Sequence, residues 1–315
     1  MYLAVEGTVS VPDNIVNAMH RGLEIVGGAA TPVILSDDFV STVQRLSTST
    51  QSYAAERGTG MVAAKTITDH EPTTIVVNFK AIHDRQAQDI ERLLAHEGCH
   101  SLIDGKGESI SPKQFYDNYD TGLAMLCTSA SIALEEFRIE RHLAELGYPV
   151  AERAAVDQID DQILELVGEV VWASMNPASA DVLTYAKAVI EAMHSLSVTL
   201  GYLAGPIIAG THIFDPTQFS EFGHAHWMSM VQRGWDMRQV AYRQVPAIQS
   251  PYAPELIFNH VDLAVSANRQ FLRDLGFAID GGAPGADWSF HRIVSNAVVD
   301  AQFKSVLAEA ERRSK

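Results

Sequence analysis

The chain has 315 residues, of which 47% are hydrophobic and 20% are charged, a composition that is typical of a globular protein and excludes bulk disorder. Its formal net charge of −16 opposes nonspecific attraction to nucleic acid and to anionic membrane surfaces. No apolar run approaches the roughly 20 residues that a membrane-spanning helix needs. We therefore expect no nucleic acid partner and no membrane partner.

The N-terminal stretch "MYLAVEGTVSVPD" has neither the basic region nor the long apolar region of a signal peptide. The chain has two cysteines, Cys99 and Cys127, which are too few for a disulfide framework and fit a reducing compartment. These features predict a cytoplasmic location. The sequence leaves the oligomeric state open.

The first half of the chain mixes helical and strand-like patterns. It contains two short helical patterns, an apolar run between them, two strand-like runs, a helical pattern, a loop rich in turn-forming residues, and a long helical pattern that ends before Gly147 and Pro149. The two short helical patterns are 14–26 and 37–56, with the apolar run 31–36 between them. The strand-like runs are 60–67 and 73–79, and they are followed by the helical pattern 84–104, the loop 105–120 and the long helical pattern 121–146.

The second half of the chain is read as helical throughout. The predicted helices are 153–175, 179–203, 217–243, 254–275 and 290–313, and the break "DGGAPGAD" before the last one is read as a turn. The fold class is therefore α+β, with a small N-terminal β-sheet followed by a mostly α-helical C-terminal half. We expect a first domain over 1–150 and a helical domain or subdomain over 151–315, which would serve as scaffold and as one wall of a cleft.

The segment "HEGCH", residues 96–100, carries the strongest chemical pattern. His96 and His100 are four residues apart on a predicted helix, so both rings project from one face and can reach a single metal ion. Glu97 lies about 100° round the helix, where it can reach a water molecule without binding the metal. Two histidines on an ordinary helix would give the same letters, so a third ligand has to decide.

The segment "SIALEEFRIERHLAELG" offers that third ligand. On a helical wheel, Glu136 and Glu140 fall inside an apolar arc, where a carboxylate is costly unless a cation or several donors meet it. A metal ion held by the two histidines would meet Glu136. Glu140 would then accept a hydrogen bond from the other ring nitrogen of a ligand histidine. The alternatives are a water-filled groove or pairing with Arg92 or Arg141.

On these residues the chain resembles the zincin metallopeptidases of the gluzincin kind, over roughly residues 58–146. The resemblance rests on the H-E-x-x-H segment and on a downstream helix with Glu-x-x-x-Glu at 136 and 140, whereas Glu140 stands where such families often have Asp. It implies a Zn²⁺ cofactor, Glu97 as general base, and a peptide or protein substrate laid along a sheet edge. Whether "TTIVVNF", residues 73–79, is that edge or an internal strand stays open at this stage.

Peptide hydrolysis at such a site needs a further donor for the developing oxyanion. The sequence does not choose among five candidates, Tyr116, Tyr119, Arg138, His224 and His226. The predicted function is a zinc-dependent metallopeptidase. A zincin-fold binding or regulatory module without turnover, and a zinc hydrolase of a non-peptide amide, are the alternatives.

Overall fold

The structure is a computed structural model that describes residues 2–8, 10–48, 53, 55–57, 60–293, 301 and 304. The chain is α+β, with a small N-terminal sheet and a mostly helical remainder, which confirms the predicted class. Contacts between Cα atoms divide it into two compact units, residues 1–109 and 110–315, here called the N-terminal unit and the helical unit. No helix among the described residues is long and apolar enough to cross a membrane.

The described residues of the N-terminal unit form six strands and four helices. The strands are β1 (Tyr2–Glu6), β2 (Pro32–Ser36), β3 (Glu56–Arg57), β4 (Gly60–Met61), β5 (Ala64–Ile67) and β6 (Thr74–Asn78). The helices are α1 (Asp13–Ile25), α2 (Phe39–Leu46), α3 (Phe79–Ile82) and α4 (Ala87–Gly105). Strands β1 and β3 and helix α3 are additions to the predicted elements, and α4 is the motif helix predicted over 84–104.

Four strands form one sheet in the order β1-β2-β6-β5. The first three are parallel, and β5 runs antiparallel to β6. The run at 73–79 is therefore an internal strand, which decides between the two alternatives and excludes it as the substrate-binding edge. All five residues of β6 are buried, as expected for a strand that is covered on both faces. The edge strand on that side of the sheet is β5.

Helices cover both faces of this sheet. Successive side chains of a strand point to opposite faces, so Ile75 and Val77 pack with α1 and α4, whereas Val76 packs with Phe39 and Val43 of α2. The residues that α1 and α4 contribute to the first cluster include Ile15, Met19, Leu23, Ile90 and Leu94. The motif helix is thus held by a fully buried apolar face against the sheet.

Two glycines allow α1 and α4 to pack closely. A Cβ atom added at Gly22 would lie 2.1 Å from the carbonyl oxygen of Glu91, which is far inside van der Waals contact. A Cβ atom at Gly98, inside the "HEGCH" segment, would lie 2.8 Å from Cγ2 of Val26. Backbone-to-backbone contact of this kind leaves α4 little freedom to shift along α1.

The helical unit contains seven α-helices and one β-hairpin among its described residues. The helices are α5 (Pro112–Asn118), α6 (Thr121–Glu145), α7 (Val156–Met175), α8 (Val182–Ile208), α9 (Glu221–His226), α10 (Gln232–Tyr242) and α11 (Pro254–Asp274). The hairpin pairs β7 (Phe277–Asp280) with β8 (Ser289–Arg292), and the glycine-rich segment predicted as a turn connects them.

Two predicted helices and one predicted loop in the helical unit need correction. The segment 217–243 is interrupted: α9 is followed by a π-helical turn, Trp227–Val231, before α10. The predicted helix 290–313 begins in β8, and most of its remainder lies outside the described residues. Helix α5 occupies part of the segment predicted as a loop, because Ser111 caps it and Pro112 starts it.

The contact-based division at 109/110 differs from the expected boundary near residue 150. Helix α6 explains the difference, because its buried residues Leu134 and Phe137 belong to the same apolar cluster as Leu196 and Leu200 of α8. Gly147 and Pro149 end a helix but do not end its hydrophobic core.

Candidate metal centre

Helix α4 carries the three motif residues, His96, Glu97 and His100, in its C-terminal half. His96 is 6% exposed, Glu97 is 7% exposed and His100 is half-buried. The two imidazole rings have centroids 5.1 Å apart at an interplanar angle of 73°. One turn of helix therefore brings both rings to the same side of α4, as the four-residue spacing predicts.

Helix α6 carries the predicted third ligand, Glu136, which is half-buried. The helix begins after Asp120, whose Oδ1 atom accepts a hydrogen bond of 3.0 Å from the backbone N–H of Leu123. It ends just before Gly147, whose φ is +86°. Within the helical unit, close contact with α8 fixes α6: a Cβ atom at Gly201 would lie 2.4 Å from the carbonyl oxygen of Ala133.

One ligand atom from each of His96, His100 and Glu136 lies within 4.8 Å of the other two. Two imidazoles and one carboxylate form a ligand set typical of catalytic zinc sites. The three residues fit a metal ion in number, in chemical type and in proximity.

Glu97 has a partner that the sequence does not predict. The hydroxyl of Thr66, on edge strand β5, lies 2.7 Å from Oε2 of the Glu97 carboxylate and 3.0 Å from the backbone carbonyl oxygen of Glu97. A hydroxyl that donates to a carboxylate fixes its orientation and lessens the cost of burying it. The only sequence signal was that residue 66 falls in a strand-like run; the contact spans 31 positions and depends on the antiparallel pairing of β5.

Two residues near the motif have contacts that bear on the alternatives. Asp104, four positions after His100, accepts a hydrogen bond of 2.6 Å from the hydroxyl of Thr73, which accounts for its carboxylate without a metal. Arg141 donates to Glu145 at 3.0 Å and to the carbonyl oxygen of Val245 at 3.1 Å. Arg141 is therefore engaged away from the two inward glutamates of α6.

Glu140 is 2% exposed, as expected for a carboxylate within the apolar arc of α6. The backbone of α6 at this position lies against α8, because a Cβ atom at Gly205 would come within 2.8 Å of the Glu140 Cβ atom. The hydrogen bond from Glu140 to a ligand histidine stays a prediction.

Two of the five candidate oxyanion donors lie far along the helical unit from Glu136. Burial and the charge of Glu191 on α8 raise the pKa of Tyr116, so its ring lies near that residue. Gly201 of α8 packs against Ala133 of α6. Glu191 lies ten residues before Gly201, which is about 15 Å along α8. Tyr119 lies just before α6 begins, and burial followed by the charge of Asp262 raises its pKa. The placement of Tyr116 and Tyr119 does not favour either tyrosine as the oxyanion donor.

The other three candidates have contacts of their own. The guanidinium of Arg138 lies over the ring of Tyr252, 4.6 Å from its centroid. His224 forms a hydrogen bond of 3.0 Å between its Nδ1 atom and the carbonyl oxygen of Pro216, whereas the ring of His226 is completely buried. These contacts and this burial do not favour either histidine as the oxyanion donor.

Comparison of the chain with known protein families, with curated proteins and with solved structures finds no match. The functional argument therefore depends on the geometry of these residues alone.

Proposed function

We propose that this protein is a zinc-dependent hydrolase that cleaves peptide bonds. The observation that carries the proposal is that ligand atoms of His96, His100 and Glu136 lie within 4.8 Å of one another. Helix α4, which carries the two histidines, also carries the buried acid Glu97. The order of a sheet, a motif helix and a glutamate helix supports the zincin-like interpretation of the N-terminal unit and of α6.

His96, His100 and Glu136 would hold the ion, and three protein ligands leave a fourth tetrahedral position open to solvent or substrate. When bound, zinc lowers the pKa of a coordinated water to about 7 and polarises a carbonyl group. A structural site would need a fourth protein ligand instead, and among the described residues the group contains three. The ligand count supports a catalytic role.

Glu97 would act as the general base. It follows the first ligand directly, and the Thr66 hydroxyl holds one of its carboxylate oxygens, Oε2. The other oxygen, Oε1, is then the one to accept a proton from the attacking water and to return it to the leaving amine nitrogen. Glu97 thus performs both proton transfers, and Thr66 keeps its carboxylate in one orientation.

The edge strand β5 supports a peptide as the substrate. Among the described strands, β5 pairs only with β6, so its other side offers main-chain donors and acceptors to an extended chain. Thr66, which contacts Glu97, belongs to this strand. A peptide paired with β5 would therefore run past the proposed base.

The test is hydrolysis of a fluorogenic peptide library by the zinc-loaded protein, with and without chelator, beside Glu97→Gln. We expect cleavage that chelator abolishes and zinc restores. The variant should keep its zinc and its thermal stability but lose about 10²–10⁴-fold in rate, the usual contribution of a general base. A wild-type protein that holds zinc and cleaves no peptide would contradict the proposal and favour a binding module.

A further inference from the structure

The helical unit buries an arginine that has only neutral partners. Arg238 lies on α10 and is 2% exposed. Its guanidinium donates to the carbonyl oxygen and the hydroxyl of Ser197 on α8, at 3.4 and 3.3 Å, and to the amide oxygen of Asn268 on α11. Its Nε atom has no hydrogen-bond partner in the described part of the chain. Among the residues that the structure describes, the hydrogen-bond partners of this buried charge are thus all neutral.

Tyr242 supplies a second buried donor on the same helix. Its side chain is fully buried, and its ring stacks on Phe137 with centroids 4.4 Å apart. Its hydroxyl likewise has no partner among the described residues. Burial raises the pKa of Tyr242 to about 12, so the hydroxyl keeps its proton at neutral pH and can donate a hydrogen bond.

The two donors belong to one face of α10. Arg238 and Tyr242 are four residues apart, and helical side chains lean towards the N-terminus, so the ring of Tyr242 extends over the turn that bears Arg238. The charge of Arg238 also favours ionisation of Tyr242 and opposes the effect of burial on its pKa, as expected for close neighbours.

We propose that the Nε atom of Arg238 and the hydroxyl of Tyr242 bind a small monovalent anion of halide size inside the helical unit. Such an ion satisfies two buried donors at once and neutralises the arginine, whereas a water molecule would satisfy the donors but leave the charge uncompensated. A larger anion does not suit donors that are both almost completely inaccessible to solvent.

The expected consequence is that chloride stabilises the helical unit. Arg238 already connects α10 with α8 and α11 through Ser197 and Asn268, so an ion bound to it strengthens the junction of three helices. Any ligand that binds only the folded state raises the unfolding temperature in proportion to the logarithm of its concentration. The site is independent of the proposed hydrolase.

The decisive experiment is diffraction from crystals grown in bromide, with data collected at the bromine absorption edge. We expect an anomalous peak within about 3.5 Å of both Arg238 Nε and Tyr242 Oη, the usual range for a halide accepting such hydrogen bonds. Density at this position without an anomalous signal would identify water, and no density at all would show that neither ligand binds. Either result overturns the proposal.

A solution experiment uses thermal unfolding in sodium chloride and in sodium gluconate at equal ionic strength, so that screening is matched. Wild type should unfold a few degrees higher in chloride. Arg238→Met should lose this difference, and Tyr242→Phe should reduce it. Arg153→Met, which removes an arginine whose Nε atom lies 2.7 Å from the Thr199 hydroxyl of the same α8, should retain it. Equal unfolding temperatures of wild type in the two salts would contradict the site.

Discussion

The two units bury charged and polar groups in different ways. In the N-terminal unit, the carboxylate of Glu97 is 7% exposed and accepts a hydrogen bond from Thr66 on a neighbouring strand. In the helical unit, Arg238, Tyr242 and His226 are at least as buried, and each has a side-chain nitrogen or oxygen without a partner in the described part of the chain.

The difference bears on function. A buried acid that is held by a neighbouring hydroxyl, next to residues able to bind a metal, fits the general base of the proposed hydrolase. Buried donors without protein partners indicate instead that a ligand or solvent completes the structure. The N-terminal unit therefore holds the proposed base in position, whereas the helical unit contains buried groups that have no partner among the described residues.

The largest expected effect comes from Gly22→Ala. The added Cβ atom would lie 2.1 Å from a backbone carbonyl oxygen of α4, so α1 and α4 must move apart. Overpacking of this kind typically costs 1–3 kcal/mol, and we expect about 3 kcal/mol or more because the obstacle is backbone. Urea denaturation measures the loss. Displacement of α4 should also lower hydrolysis, because α4 carries Glu97.

The matched control is Gly105→Ala, at the other end of α4, where an added Cβ atom meets no atom within 4 Å. Alanine favours a helix over glycine by up to about 1 kcal/mol, so this variant should be as stable as wild type or slightly more stable. If Gly22→Ala and Gly105→Ala are equally stable, the close packing of α1 against α4 does not hold α4 in place.

The next largest effect concerns Thr66. Thr66→Val keeps the shape of the side chain but removes the hydroxyl that orients Glu97, and a hydrogen bond to a charged group contributes about 1.5–3 kcal/mol. We expect kcat/KM to fall roughly tenfold or more, mainly through kcat, with unchanged zinc content. Thr66→Ser keeps the hydroxyl and should restore most of the rate. If the valine and serine variants are equally active, the hydroxyl has no role in positioning the base.

The smallest effect is the pH dependence that His226 gives to stability. Burial lowers the pKa of His226 below its ordinary value of 6.5, while the charge of Asp160 partly opposes this. At pH values between the folded and the unfolded pKa of His226, the unfolded chain binds more protons than the folded chain. The free energy of unfolding therefore has its full value above about pH 7 and falls as the pH drops through 6.5 towards the folded pKa.

Urea denaturation at pH 7.5 and pH 5.0 measures this dependence. Between the two pH values, the free energy of unfolding of His226→Gln should fall by less than that of wild type, because the variant has no imidazole whose pKa burial lowers. A variant of the exposed His20, His20→Gln, serves as the control. A decline in His226→Gln as steep as in wild type would show that other groups cause it.

Local patterns in the sequence predict much of the candidate site. The spacing of "HEGCH" and the apolar arc around Glu136 identify the three residues whose ligand atoms the structure brings within 4.8 Å of one another. Helix α6 begins and ends within one residue of its prediction, because Asp120 caps its start and Gly147 ends it. These signals are contained within a few turns of helix.

Contacts between distant segments could not be predicted. The pairing of Thr66 with Glu97 depends on the register of β5 against β6, and the position of β6 inside the sheet depends on β2 pairing with its other edge. The hairpin of β7 and β8 was missed because four-residue strands carry too short a pattern to outweigh a helical one. A local periodicity does not specify which strand becomes its neighbour.

The most direct test of the central claim is the zinc content per chain, measured by elemental analysis after dialysis, for wild type, Glu136→Gln and Glu135→Gln. Glu135 is the adjacent half-buried acid of α6 and is the matched control. We expect about one zinc per chain in wild type and in Glu135→Gln, and a large loss in Glu136→Gln, since an amide is a much weaker zinc ligand than a carboxylate. Unchanged zinc in Glu136→Gln, or no zinc in wild type, would contradict the proposed site.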